Sequence, residues 1–301
     1  MEKRQFGSTD MQVTVLGFGG AEIGYEGATQ DTVVELLNSA LDAGLNVIDT
    51  AECYMNSEEM IGKAVSGRRD DFYLFTKCGH EHDKDGKQIS NWKKDALLRS
   101  IESSLKKLQT DRLDLVQLHS CSLEDLKKGE VIEALQEARN KGYTRYIGYS
   151  GDSEAARYAI ESGAFDTLQT SVSIADQEAI DLTIPLARER NMGVIAKRPV
   201  ANAAWRTGAR PEEPYHHEYW DRLEVLKYPF LEKALPDAIA TAVRFTASIP
   251  GVHTMIVGTT KPGRWSENAK VLEAGPLDPQ EFEAIRNHWK QMAKPDWTGQ
   301  T

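Results

Sequence analysis

Eight short β-branched runs, each followed by a stretch of helical periodicity, predict an α/β fold, a (β/α)8 TIM barrel with an N-terminal hairpin and a long loop after strand 7. The number of units is the first observation. The second is that all eight fit within 301 residues with no stretch that reads as a linker, so residues 1–301 are expected to form one domain. The third concerns the first turn. "GFGG" at 17–20 does not complete a G-x-G-x-x-G fingerprint, because Glu22 stands where its last glycine belongs. The glycines are a weak signal either way, and a doubly wound sheet, the main alternative, usually uses fewer strands.

The strands are expected at 13–19 (VTVLGFG), 46–51 (NVIDTA), 72–77 (FYLFTK), 113–119 (LDLVQLH), 145–150 (RYIGYS), 167–173 (TLQTSVS), 193–197 (GVIAK) and 254–259 (TMIVGT). Helices are expected between them, at 31–44, 57–65, 93–109, 129–142, 152–163, 179–191 and 236–249, with an eighth at 264–275 after the last strand. Asp31, Ser57 and Asp152 read as N-caps, and Gly44, Gly142 and Gly163 as C-terminal stops. Residues 2–14 alternate around "GSTD" and read as a hairpin closing one barrel end. The connection 199–235, rich in aromatics and proline, has the length of a lid or binding loop. A further amphipathic helix at 278–292 is expected to pack outside the barrel.

Hydrophobic residues make up 40% of the chain and charged ones 27%, which suits a globular protein with a sizeable core. A net charge of −10 argues against nucleic-acid or anionic-membrane partners, which need a broad basic face. No apolar run approaches the roughly 20 residues that span a bilayer, and "MEKRQFGSTD" lacks the apolar centre of a signal peptide. Three cysteines, at 53, 78 and 121, are odd in number and lack CxxC spacing. The expectation is a cytoplasmic protein with reduced thiols.

Active-site groups of a barrel come from the C-terminal ends of its strands and the loops that follow. The polar residues there are Asp49, Lys77, His119, Ser150, Gln169, Lys197 and Thr259, with Tyr54 on the loop after the second strand. Taken singly, such an Asp is most often a turn residue, a Lys is solvated, and a His is a satisfied core group. Meeting at one mouth, Asp49, Tyr54, Lys77 and His119 have a specific use. A free phenol with a pKa near 10 is a poor acid at neutral pH, and an ammonium beside it is expected to lower that value. Asp49 would keep Lys77 charged and aimed, and His119 would hydrogen-bond a substrate carbonyl or help relay the proton. The set makes a general acid for an oxygen becoming an alkoxide. No side chain accepts a hydride, so a redox reading requires a cofactor.

Within "CGHEHDKDGK" (78–87), Cys78, His80 and His82 are spaced by two and match no zinc pattern; the segment reads as a solvated loop, and no metal is expected. "YHHEYW" (215–220) reads as an aromatic lid. Each cysteine lies within two residues of one of the four mouth residues, where buried Cys commonly serves as small apolar filler. Trp92 and Trp205, with Tyr215, Trp220 and Tyr228, are candidates to line a substrate pocket.

The segments "NVIDTAECY", "LFTK", "LVQLH", "IGYS", "LQ" and "IVGTTKPGRWSEN" occur in the order and spacing of the aldo-keto reductases, and the chain resembles that family over about residues 4–272. The resemblance implies NADP-dependent oxidoreductase activity, the reversible reduction of a small-molecule aldehyde or ketone. Tyr54 would donate the proton and Asp49, Lys77 and His119 complete the tetrad. It also implies a cofactor site of Gly20, Ser150, Gln169, Lys197, Arg198, Gly258, Thr259, Arg264, Glu267 and Asn268. Ser150 and Gln169 match the holders of the nicotinamide carboxamide, and Glu267 and Asn268 match those of the adenine. Thr259 and Arg264 match positions that grip the 2′-phosphate. With Lys261 nearby they favour NADPH over NADH.

The chain departs from the family pattern at Gly151, where Asn is usual and where Asp152 could take over a carboxamide bond. It departs again at Val172–Ser173, and at Lys197–Arg198, where an aromatic often stacks on the nicotinamide. Two other readings stand beside the reductase: a nicotinamide-nucleotide-sensing regulatory subunit, and a barrel isomerase or lyase. Many relatives are monomers, but the sequence does not fix the oligomeric state.

Overall fold

The computed structural model describes residues 1–83 and 85–300, and its centre is a closed barrel of eight parallel strands. They are β1 (Leu16–Gly19), β2 (Val47–Asp49), β3 (Tyr73–Cys78), β4 (Leu113–His119), β5 (Thr144–Ser150), β6 (Thr167–Ser171), β7 (Gly193–Lys197) and β8 (Thr254–Gly258). Each pairs with its neighbours in chain order, and β8 closes on β1 through Met255↔Leu16 to Gly258↔Gly19. The first predicted run divides. Gln12–Thr14 pairs antiparallel with Lys3–Gln5 as the hairpin, and only Leu16–Gly19 enters the barrel.

Strand alternation decides what fills the barrel. Val47, Phe75, Leu115 and Ile195 form one buried interior cluster with Phe6, Met11 and Val13 from the hairpin segment. Phe6 stacks on Phe75 at 5.8 Å between ring centres, so the hairpin plugs the N-terminal end. Gly193 allows this approach, since a Cβ there would come within 2.7 Å of the Phe6 ring. Each buried side chain of this size contributes about 1.5–3 kcal/mol. Two residues further along the same strands, on the same face, come Asp49, Lys77, Gln117 and Lys197. The alternation that builds the apolar floor therefore delivers a polar layer at the C-terminal mouth. The outer strand faces join the helices in a second, larger apolar cluster.

Several local expectations are corrected. The helix expected at 179–191 is two, Glu178–Leu182 and Ile184–Glu189, because Pro185 lacks an N–H to continue the ladder. Helix Gln30–Asp42 is capped by Thr29, whose hydroxyl accepts from Thr32 N at 3.2 Å, and Asp31 lies inside its first turn. Ser57 lies inside helix Ser57–Val65, and its hydroxyl donates to Gly20 O at 2.7 Å. Asp152 occupies the N-cap position of Ser153–Ser162 but makes no cap hydrogen bond. The connection 199–235 contains a ten-residue helix, His217–Leu226, with Tyr219 and Tyr228 buried. The loop 78–87, apart from Lys84, which lies outside the described residues, carries part of a second hairpin, His80–His82 with Gln88–Ser90. Among the described residues, no helix is long and apolar enough to cross a membrane.

Candidate active site

Asp49, Lys77 and His119 come together at the ends of β2, β3 and β4. The Lys77 ammonium donates to Asp49 Oδ1 and, at 2.8 Å, to Thr50 O. Asp49 Oδ2 accepts from Gln169 Nε2 at 2.9 Å and from Gln117 Nε2 at 3.2 Å. Both charged side chains are only 1% exposed. Such burial is costly, and four side-chain and backbone bonds make the pair tolerable. Burial pushes the Asp49 carboxyl up, while Lys77 and the two amides pull it back.

Tyr54 follows β2 on a loop and is half-buried. Lys77 Nζ lies 5.0 Å from its ring centre, and His119 meets it edge-on at 5.5 Å. The expectation that Lys77 brings the phenol pKa down is not met. Burial pushes the Tyr54 phenol well above its ordinary range, Asp49 adds to this, and Arg198 opposes it. Lys77 sits against the ring face and spends its hydrogen bonds on Asp49 and Thr50, so desolvation of the phenolate prevails. Burial also drives His119 well below its ordinary value, helped by Lys77, His80, Lys197 and Arg198, so its imidazole is neutral.

Ser150 and Gln169 join the same network, Ser150 Oγ donating to Gln169 Oε1 at 2.9 Å. At Gly151 an added Cβ would lie 2.5 Å from Tyr149 Oη, which leaves no room for the usual Asn. Asp152 does not stand in for that residue. Its carboxylate is committed to Thr170 Oγ1 at 2.7 Å, Ser171 N at 2.6 Å and Lys197 Nζ at 2.9 Å. Burial opposes its ionisation, but Lys197 and these donors outweigh that and hold the carboxyl below its ordinary range. Burial brings Lys197 down to about 8 against the pull of Asp152. Lys197 is thereby locked beneath the rim. Arg198, at φ +55°, donates to Tyr215 Oη at 2.7 Å, to Ser171 Oγ at 2.9 Å and to Gln300 O.

On the other side of the mouth, Gly20 N donates to Asp49 O at 2.8 Å. A Cβ on Gly258 would fall 1.5 Å from Glu22 Oε2, and burial pushes that carboxyl up to about 7. Thr259 Oγ1 accepts from Lys261 N at 3.1 Å. Arg264 opens helix Arg264–Glu273 and pairs with Glu267 at 3.1 Å, with Asn268 in the next turn. A guanidinium, a lysine, a hydroxyl and the free N–H groups of a helix start are the donor set for a phosphate.

An edge-to-face ladder crosses the mouth: Tyr25–Tyr54, Tyr54–His119, His119–His80 and His80–Trp92, at 6.0, 5.5, 5.2 and 5.4 Å. Trp92 packs over Gly79, where a Cβ would lie 1.9 Å from the indole. Trp205 is not part of this ladder among the described residues; it packs against the outer apolar cluster. Sequence reasoning missed Gln117 and Tyr25, and weighed His80 only as a metal ligand. The signal for Gln117 was present, as it lies two residues before His119 on the same strand face. His80 Nδ1 faces Ser90 Oγ at 3.0 Å and Cys78 Sγ faces Gln117 O at 3.7 Å, and among the described residues no three His, Cys, Asp or Glu side chains gather where a metal could be held.

The sequence model of the aldo/keto reductase family matches residues 15–290. The chain is 29% identical to the uncharacterized oxidoreductase YqkF of Bacillus subtilis (strain 168), over 97% of each chain. It is 27% identical to the L-galactose dehydrogenase of Arabidopsis thaliana, over 98% of this chain and 97% of that one. The holo form of aldo-keto reductase AKR11C1 from Bacillus halodurans matches with a TM-score of 0.84 and 29% identity over 96% of both chains. With the family match spanning the whole barrel and its mouth, this chain is an oxidoreductase belonging to the aldo/keto reductase family.

Proposed function

We propose that the protein reduces an aldehyde or ketone to the alcohol with NADPH, reversibly, and that Tyr54 is the general acid. The observation that carries this reading is the buried Lys77–Asp49 pair set against the Tyr54 ring, with His119 at the ring's edge. A phenol pushed above its ordinary range stays protonated at neutral pH. It releases its proton once the carbonyl oxygen becomes an alkoxide, which is more basic than a phenolate. Lys77 then stabilises the phenolate, and Asp49 keeps Lys77 in place. The neutral His119 is a hydrogen-bond donor for the carbonyl oxygen.

A bound nicotinamide supplies and takes back the hydride, which no side chain here can do. The residues present fit such a cofactor. Ser150 and Gln169 keep unused lone pairs and an amide hydrogen for a carboxamide. Arg198 offers a guanidinium plane for the ring in place of an aromatic. Thr259, Lys261 and Arg264 suit a 2′-phosphate and Glu267 and Asn268 the adenine, whereas the space over Gly20 and Gly258 is taken by Ser57 and Glu22. A relative named as a sugar dehydrogenase supports the reverse direction and a hydroxylated substrate.

The test is NADPH consumption with 4-nitrobenzaldehyde by the wild type and Tyr54→Phe. The variant should lose about 10²-fold or more in turnover with NADPH affinity nearly unchanged. Wild-type-like turnover would remove Tyr54 from the role, and a wild type that fails to bind NADPH would overturn the cofactor.

A further inference from the structure

Cys53 precedes Tyr54 on the mouth loop, and its Sγ lies 3.4 Å from His119 Nδ1. We propose that Cys53 is a positioning residue, its S–H donating to His119 Nδ1 and fixing the imidazole as the tautomer protonated on Nε2. The inference rests on the reading of His119 as the group that orients the carbonyl.

A neutral imidazole has one N–H and one lone pair, and the partner of either nitrogen decides which is which. His119 is neutral for the reasons given above. Cys53 is 2% exposed, and burial pushes its thiol up to about 12, so it keeps its proton. Its sulfur has one hydrogen-bond partner among the described residues, His119 Nδ1. Of the two possible orders across that contact, S–H to nitrogen is the better. An imidazole nitrogen is a good acceptor and a thiol sulfur a weak one. The reverse order would spend the ring's only N–H on sulfur and leave the Nε2 lone pair facing the lone pairs of a carbonyl oxygen.

The surroundings hold both partners still. Tyr25 Oη donates to Cys53 O at 3.1 Å. The His119 ring is set between Tyr54 and His80, at 79° and 65° to their planes. A cysteine serving only as filler would be replaced best by valine or alanine. A donor would be replaced best by serine.

The test uses the full chain with ¹⁵N-labelled histidine, its seven rings read by NMR at pH 7, with His119 assigned by its loss in His119→Asn. The expected result is a pure Nε2–H pattern in the wild type and in Cys53→Ser, and a tautomer mixture in Cys53→Ala and Cys53→Val. With NADPH and 4-nitrobenzaldehyde, Cys53→Ala and Cys53→Val should lose about 3- to 10-fold in kcat, the scale of one hydrogen bond, with NADPH affinity retained. Cys53→Ser should recover most of that loss. An Nδ1–H pattern in the wild type would overturn the proposal, as would an unchanged pure Nε2–H pattern in both Ala and Val variants. The tautomer is read without turnover. A protein inactive on the aldehyde would count against the reductase reading and leave this one decided by the spectra.

Discussion

Lys77 lies against the face of the Tyr54 ring, its Nζ 5.0 Å from the ring centre, while its hydrogen bonds go to Asp49 and Thr50 O. If Tyr54 is the acid proposed above, the ammonium is placed to meet negative charge that appears on the ring, and Asp49 holds it there in the meantime. The resting state is thus a protonated phenol beside an already neutralised cation.

That arrangement sets the direction of the pH dependence. With Tyr54 as the proposed acid, reduction needs the protonated phenol, and burial holds the Tyr54 pKa well above its ordinary value, so reductive kcat should stay level from pH 6 to 9. Alcohol oxidation needs the phenolate, so its rate should rise with pH across the same range. Steady-state profiles in both directions check this. A reductive limb falling below pH 8 would mean that a bound substrate and cofactor lower the phenol, or that another group titrates.

Removing one member of the Lys77–Asp49 pair should cost more than removing both charges. Lys77→Met leaves the Asp49 carboxylate buried beside two amides, a loss of about 3–5 kcal/mol in unfolding free energy. Asp49→Asn with Lys77→Met should recover part of that stability and none of the turnover. Urea unfolding of the two variants separates the structural from the catalytic part of the pair.

The barrel was legible because its eight strands are dense in apolar and β-branched residues and its mouth residues end those runs, a pattern carried within seven residues of chain. The roles that depend on long-range contacts were not. Asp49 takes its amide partners from Gln117 and Gln169, 68 and 120 positions away. Asp152 looks like a cap by its place before a helix, but Lys197 and Thr170 draw its carboxylate across to the next two strands. The pKa of Tyr54 was misjudged for the same reason. Proximity of Lys77 could be read from spacing, whereas the burial that outweighs it depends on the assembled mouth.

Glu58 should make stability fall as pH rises. It is buried, accepts from Thr76 Oγ1 at 2.6 Å, and leaves Oε2 with no partner among the described residues. Burial pushes its carboxyl up to about 7, against roughly 4.3 for an unfolded glutamate. The folded state therefore holds this proton more tightly. The penalty is absent below about pH 4, grows from there to pH 7, and is constant above. Glu58→Gln keeps an oxygen for Thr76 and cannot ionise. Relative to wild type it should gain on the order of 3 kcal/mol between pH 4 and pH 8, measured by urea unfolding. Parallel stability curves for the two proteins would show that Glu58 is not the group responsible.

Arg264 should separate NADPH from NADH. It starts helix Arg264–Glu273, close in sequence to Lys261 and Thr259, and its partner Glu267 is exposed, so the guanidinium can be recruited without breaking a buried contact. A charge-assisted bond to a phosphate contributes about 1.5–3 kcal/mol. Arg264→Leu should therefore raise the Kd for NADPH by about 10- to 100-fold, as a loss of that size implies, and leave the Kd for NADH within about twofold. The loss should shrink at high salt, since accumulating ions screen the attraction between an exposed guanidinium and a phosphate. Fluorescence titrations with both nucleotides at two ionic strengths read all three quantities. Equal losses for both nucleotides would place Arg264 on a part of the cofactor that they share, and any preference for NADPH would then have to come from Thr259 and Lys261.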